Sequence, residues 1–145
     1  TFEAAAFLRR CGADITRVRK MFRDDMASYR AKAEAVRMAE VYRKEFAIAE
    51  CPSNIDSPTV LAAQAANELL DISGIKASFV LTVYEGKIYM SARSIDEVNV
   101  QIIAEKLGGG GHINSAGAQF DHTNMEEAIK ALKETIDRMI EEGDI

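Results

Sequence analysis

Phe79-Val80-Leu81-Thr82-Val83-Tyr84, Glu85-Gly86 and Lys87-Ile88-Tyr89-Met90-Ser91-Ala92-Arg93 follow one another in the chain. Two runs rich in β-branched and aromatic residues flank a dipeptide whose glycine accepts a positive φ, which predicts a β-hairpin. The first run is almost continuously apolar and suits a strand covered on both faces. In the second, strand alternation puts Ser91 and Arg93 on one side and Met90 and Ala92 on the other.

Upstream, Phe46-Ala47-Ile48-Ala49-Glu50-Cys51 reads as a strand stopped by Pro52. Ser57-Pro58 is a helix start, with a hydroxyl at the N-cap and proline at the first helical position. That helix is expected to run to about Ile72, with Val60, Leu61, Ala65, Leu69 and Leu70 inward and Gly74 ending it. Downstream of the hairpin, Ser94 and Glu97 have capping-box spacing and Asn99 is an equally good helix start; Val100, Ile102, Ile103 and Leu107 then make a buried side, and Gly108 closes the helix. Ala116 to Phe120 reads as a strand. Thr123 with Glu126 caps a last helix with Ala128, Ile129, Leu132, Ile136, Met139 and Ile140 on one stripe. The order β-α-β-β-α-β-α predicts an α/β fold: a mixed β-sheet with packed helices.

Between Gly12 and Pro52 there is neither glycine nor proline, and Ala, Arg, Glu, Lys and Met dominate, so a long helix is expected from an N-cap at Asp14. Ile15, Val18, Met21, Phe22, Met26, Tyr29, Ala33, Val36 and Val41 would form its apolar stripe, and Phe2 to Leu8 a short helix ahead of it. This part has no core of its own, so an N-terminal helical connector is expected to precede the sheet.

At 145 residues the chain has the size of one domain with an extension, and its first residue, Thr1, suggests a piece of a longer protein. No apolar run approaches the ~18 residues needed to cross a bilayer. Residues 1–44 carry a charge of +5 and residues 45–145 a charge of −10. The basic part is interspersed with Asp14, Asp24, Asp25, Glu34 and Glu40, as on a solvated helical face, and this outweighs a nucleic-acid stripe. Cys11 and Cys51 pair with neither histidine at metal-ligand spacing, so a reduced, intracellular chain without a metal site of its own is expected.

Gly108-Gly109-Gly110-Gly111-His112 is the least ordinary stretch. One glycine suffices for a helix cap, and four in succession forfeit backbone order. They admit two readings: a concave nest of N–H groups for an anion with His112 beside it, or a flexible loop with a surface histidine. Arg93, flanked by Ser91 and Ser94, projects from a strand end and suits a phosphate or a surface ion pair. Asn99 and Asn114 suit a base edge or ordinary capping and turns. No nucleophile stands at a telling spacing from a base, which points to a binding domain rather than a complete active site.

A glycine run ending in Gly-His, followed by Asn114-Ser115-Ala116-Gly117-Ala118, a strand and a last helix, resembles the DHH-associated domain (DHHA, first subtype) of DHH-superfamily phosphoesterases. Thr1-Phe2-Glu3-Ala4-Ala5-Ala6-Phe7-Leu8-Arg9-Arg10, Ala77-Ser78-Phe79-Val80, Ser91-Ala92-Arg93-Ser94 and Asn99-Val100-Gln101 are similar to segments of bacterial cyclic-di-AMP phosphodiesterases of the GdpP type. The resemblance implies that residues 1–44 are the end of a catalytic DHH domain and a linker helix, and residues 45–145 the substrate-binding domain. It implies two divalent metals, usually manganese, in the catalytic domain, whose ligand motifs are absent here, and hydrolysis of cyclic di-AMP to pApA. Residue by residue it places Gly109, Gly110, Gly111 and His112 on the nucleotide and Arg93, Ser94 and Asn99 beside it. A cyclic dinucleotide or short oligonucleotide, the DHH domain and a second copy of the chain are the expected partners, with a cytoplasmic location and membrane anchoring only through upstream segments. Other readings are a nanoRNA exonuclease that also removes phosphate from adenosine bisphosphate, a noncatalytic RNA-binding module, and a dimerisation domain.

Overall fold

The computed structural model describes residues 1–95 and 98–145; the capping-box pairing of Ser94 with Glu97 lies outside the described residues. The elements run α1 (Phe2–Arg10), α2 (Ile15–Met21), α3 (Met26–Arg37), β1 (Glu40–Tyr42), β2 (Phe46–Cys51), α4 (Pro58–Leu70), β3 (Ala77–Tyr84), β4 (Lys87–Ser94), α5 (Val100–Lys106), β5 (Gly110–His112), β6 (Ser115–Phe120) and α6 (Met125–Glu142). Six strands form one mixed sheet in the order β1-β2-β3-β4-β6-β5, in which β2 and β3 are parallel and every other pair antiparallel. The predicted α/β class and the helices ahead of the sheet are what the structure has.

The hairpin β3–β4 supplies the sheet's centre. Glu85 and Gly86 both take positive φ, the two-residue turn that matches strand twist. Phe79, Leu81, Met90 and Ala92 point to one face, where Val100 and Ile103 of α5 and Leu132, Ile136 and Met139 of α6 complete a core. Burying each large side chain of this set removes apolar area worth about 2 kcal/mol. On the other face Val80, Ala47, Ala49 and Cys51 meet Leu61, Ala62, Ala65, Ala66 and Leu69 of α4, and the run of alanines lets the helix lie close to the strands. Val60, expected inward, is 56% exposed, because the buried arc of α4 is centred on Ala65 and Leu69.

The expected long helix from Asp14 onward is three elements. Asp14 does cap α2, but the Asp25 side chain accepts the N–H groups of Ala27 and Ser28 and starts a new helix, α3, so the backbone breaks between Phe22 and Asp25. A short aspartate that bonds the backbone locally competes with helix continuation. The stripe assigned to that helix is not a buried face: Ile15, Met21, Phe22, Met26 and Val41 are all exposed. What holds α3 down is Ala35, packed in the α4 core, and Lys32, whose ammonium lies 2.8 Å from Asp24 and 3.0 Å from Glu68 of α4.

Residues 40–42, expected at the helix end, are instead strand β1, turned onto β2 through Arg43 and Lys44, both at positive φ. Tyr42 and Arg43 bond Asp137 of α6 at 2.8–2.9 Å, which fixes this hairpin across the sheet edge. Asn124, not Thr123, caps α6 by accepting the N–H of Glu127; Thr123 bonds the Glu127 carboxylate instead. At the head of α5, Asn99 accepts the N–H of Gln101.

Candidate functional site

Cross-strand register arranges the sheet face under α4 in three rows. Ser78, Arg93, Ser115 and His112 make the first; Val80, Ser91, Gly117 and Gly110 the second; Thr82, Tyr89 and Gln119 the third. Successive rows lie about 7 Å apart and neighbouring strands about 4.8 Å apart, so the backbones of Arg93 and His112 are about 10 Å from each other. Helix α4 covers the β3 end, where Ser78 donates to the Ala66 carbonyl at 2.6 Å; the buried Thr82 hydroxyl donates to the Cys51 carbonyl of β2. Beyond β4 the face opens, with Ser115, Gln119 and His112 exposed.

Arg93 stands where the covered and open parts meet. It is half-buried, its Nη1 donates to the Ala92 carbonyl at 2.8 Å, and no carboxylate pairs with it among the described residues. Burial holds its pKa below the ordinary arginine value, because the cation loses water and gains no counter-charge. Other cations of this chain are paired, as Lys87 is with Asp121 and Lys106 with Glu142. A guanidinium left in this state is a ready partner for an anion that arrives from solution.

The glycines divide by their surroundings. Gly108, at φ +81, ends α5. A Cβ on Gly109 would lie 2.0 Å from the Gly117 carbonyl, and one on Gly111 would lie 2.5 Å from the Ala116 Cα, so both glycines allow β5 to press against β6. A Cβ on Gly110 would meet nothing within 4 Å, and this residue needs no positive φ. Its missing side chain serves nothing within the chain; together with Gly117 it leaves the middle row without walls. The run is therefore not a concave nest: Gly110–His112 is an extended edge strand, whose N–H groups alternate in direction rather than converge.

His112 is exposed on β5 in the Arg93 row. Ser94 is buried, and its hydroxyl is within 3.3 Å of the Ile113 carbonyl and the Asn114 side-chain oxygen. The Ser94 N–H reaches the Asn114 carbonyl and the Val100 N–H the Ile113 carbonyl, so β4 and the head of α5 both anchor the turn that carries His112. Asn99 serves that helix head as its cap. Tyr89, Ser115, Gly117 and Gln119 also belong to the face, and sequence reasoning does not single them out. The alternation of Ser115, Gly117 and Gln119 with Ala116 and Ala118 is a usable signal, but it acquires meaning only once β6 is known to pair with β4.

Among the described residues no three His, Cys, Asp or Glu side chains come together as a metal cage. No described helix is long and apolar enough to cross a membrane. A cleft of about 550 Å³ lies at the opposite edge of the sheet, against Glu34, Met38, Ala49, Cys51 and Met125.

A mixed sheet with helices on both faces, and a glycine edge strand in register with a half-buried arginine, defines an α/β domain of the DHH-associated type. The DHHA1 domain model matches residues 44–141, and the chain belongs to that family. It is 41% identical over 138 residues to the cyclic-di-AMP phosphodiesterase PdeA of Listeria monocytogenes, covering 94% of this chain and 21% of the relative. To the cyclic-di-AMP phosphodiesterase GdpP of Bacillus subtilis it is 41% identical over 146 residues, covering 99% of this chain and 22% of the relative. The chain thus spans about a fifth of the length of these curated relatives. Among solved structures, an exopolyphosphatase-related protein from Bacteroides fragilis superposes with a TM-score of 0.82 at 22% identity, over 95% of this chain and 43% of that one, a likeness of fold.

Proposed function

We propose that this chain is the substrate-holding part of a phosphodiesterase that opens cyclic di-AMP to pApA. The observation that carries the reading is Arg93: a half-buried guanidinium without a counter-charge among the described residues, on the same sheet face as an open glycine floor and with His112 in its row. Arg93 takes a phosphate by a forked pair of N–H donors. Gly110, between its close-packed neighbours Gly109 and Gly111, lets the nucleotide lie on the backbone, and His112 adds a donor or a ring at the rim. Ser94 and Asn99 act as positioning residues, through the β5–β6 turn and the α5 cap. The names of the relatives support the substrate class.

The hydrolytic machinery is assigned to a part of the protein outside these 145 residues. Two divalent metals, manganese by family resemblance, would supply there an activated water and charge neutralisation for phosphodiester hydrolysis. The role of this chain is to bind and orient, which is itself a large share of such catalysis.

A calorimetric titration of the chain with cyclic di-AMP, pApA, 5′-AMP and a short RNA, repeated on His112→Ala and Arg93→Met, tests the reading. Adenine dinucleotide binding that falls about tenfold or more in both variants is expected; affinity untouched by either variant would sink it. The chain alone is expected to be inactive with manganese, and turnover by a pure preparation would overturn the division of labour. Preference for short RNA over the cyclic dinucleotide would favour a second reading, oligoribonuclease and bisphosphate phosphatase activity. That reading is supported by 35% identity over 65 residues to the bifunctional oligoribonuclease and PAP phosphatase NrnA of Thermus thermophilus, covering 45% of this chain.

A further inference from the structure

The third row lies about 7 Å from the glycine floor, on the side away from Arg93 and His112. We propose that Tyr89 and Gln119 form a base-reading wall of the nucleotide site, with Tyr89 as the stacking surface and the Gln119 carbonyl oxygen as acceptor for the exocyclic amine of adenine. This rests on the nucleotide-binding reading above and names the base it selects.

The geometry supplies each part. Tyr89 is half-buried, and its ring meets that of Tyr84 edge-on, with centroids 6.0 Å apart and planes at 60°, which supports the ring on one side. Opposite it across the strand pair, Gln119 donates its Nε2 to Asp121 Oδ1 at 2.9 Å. Asp121 is in turn 3.1 Å from the Lys87 ammonium. Lys87 and Gln119 hold the Asp121 carboxyl below its ordinary range, so near neutral pH it is ionised and accepts only. An acceptor-only neighbour decides which end of the Gln119 amide faces it: the NH₂ must, and the carbonyl oxygen is turned away, with no partner among the described residues.

A carbonyl acceptor beside an aromatic ring suits a base that stacks and donates. Adenine offers an amine at its six position, and hypoxanthine offers a carbonyl there, which would face the Gln119 oxygen acceptor to acceptor. The floor between the walls has side chains only on Val80 and Ser91, because Gly117 and Gly110 have none, leaving the width of a stacked base between the phosphate row and the tyrosine row.

The test compares pApA with its inosine counterpart pIpI by titration on the 145-residue chain. The unaltered chain is expected to bind pApA about tenfold more tightly than pIpI. Gln119→Leu should bring the two affinities together, and Asp121→Asn should narrow the gap with Gln119 intact, because an asparagine no longer dictates the amide's orientation. Tyr89→Leu should weaken both ligands about tenfold, and Tyr89→Phe should bind as the unaltered chain does. An adenine preference that survives both Gln119→Leu and Asp121→Asn, or full affinity in Tyr89→Leu, overturns this assignment while leaving the Arg93-dependent reading in place. If the unaltered chain binds neither dinucleotide, or binds indifferently to Arg93→Met, the proposed function falls and this inference with it.

Discussion

Arg93 and His112 stand opposite the same residue, Ser115, one across β4–β6 and the other across β5–β6. The relationship sets a cation and an imidazole in a line perpendicular to the strands, about 10 Å apart at the backbone. Neither strand could bring this about alone, since β5 reaches β4 only through β6.

Substitutions at Arg93 should separate binding from stability. A half-buried charge without a counter-charge costs the fold, so Arg93→Met is expected to leave the melting temperature unchanged or raised while lowering pApA affinity about tenfold or more, the weight of charge-assisted hydrogen bonds. Arg93→Lys should restore only part of the affinity, because an ammonium cannot make the forked contact. Thermal unfolding read beside calorimetry checks both; a destabilised Arg93→Met would show that the guanidinium is structural.

The glycines offer a sharper division. Gly111→Ala and Gly109→Ala should each destabilise the fold by about 1–3 kcal/mol, since the added methyl meets β6 backbone atoms 2.0–2.6 Å away. Gly110→Ala should fold as well as the unaltered chain and lose nucleotide affinity, because its methyl would enter open space on the binding face. Urea midpoints and titrations of the three variants form one experiment, and equal loss of affinity without loss of stability at all three positions would contradict this account of β5.

Acid stability is expected to depend on Asp137. Its carboxyl sits below the ordinary 3.8 because Arg43 and Tyr42 donate to it. A depressed folded-state pKa contributes stability that is present above the unfolded value and lost as pH falls through the folded one, here from about pH 4 downward. Asp137→Asn should flatten that part of a plot of urea midpoint against pH, leaving the neutral plateau lower and the acid limb less sloped. An acid limb as steep as before would assign the loss to other carboxylates.

The two cysteines should react differently. Cys51 lies in the α4 core, and burial pushes its thiol up to about 11, whereas Cys11 is exposed beside α1. A disulfide reagent at about pH 8 is expected to titrate one thiol per native chain and two in denaturant. Two thiols reacting quickly in the native state would mean that the α4 face opens readily.

Much of the architecture was legible because its signals are local. The Glu85-Gly86 turn, the Ser57-Pro58 helix start, the Asn99 cap and the stripe from Ala128 to Met139 each declare themselves within a few residues, and the structure has the corresponding elements. Where local signals misled, a specific side chain or pairing had intervened. Asp25 looks like one more surface charge in a helical run, yet its bonds to Ala27 and Ser28 restart the helix. Arg43-Lys44 carries no turn glycine or asparagine, and β1 forms nonetheless because Asp137 of α6 holds Tyr42 and Arg43.

The candidate site shows the same boundary. Arg93 and His112 attract notice by residue type and glycine context alone, and strand alternation correctly puts Ser91 with Arg93. The α/β class, the order of most elements and the residues worth testing can be read locally, since propensity, capping and periodicity act over a few positions along the chain. Strand pairing and packing, not local signals, put Gly110 on an edge strand beside Gly117, leave Arg93 without a carboxylate among the described residues, and set Tyr89 and Gln119 on the same sheet face. Those facts depend on which strand pairs with which and in what register, a choice made by burying the Met90, Ala92, Ala116 and Ala118 side of the sheet against α5 and α6.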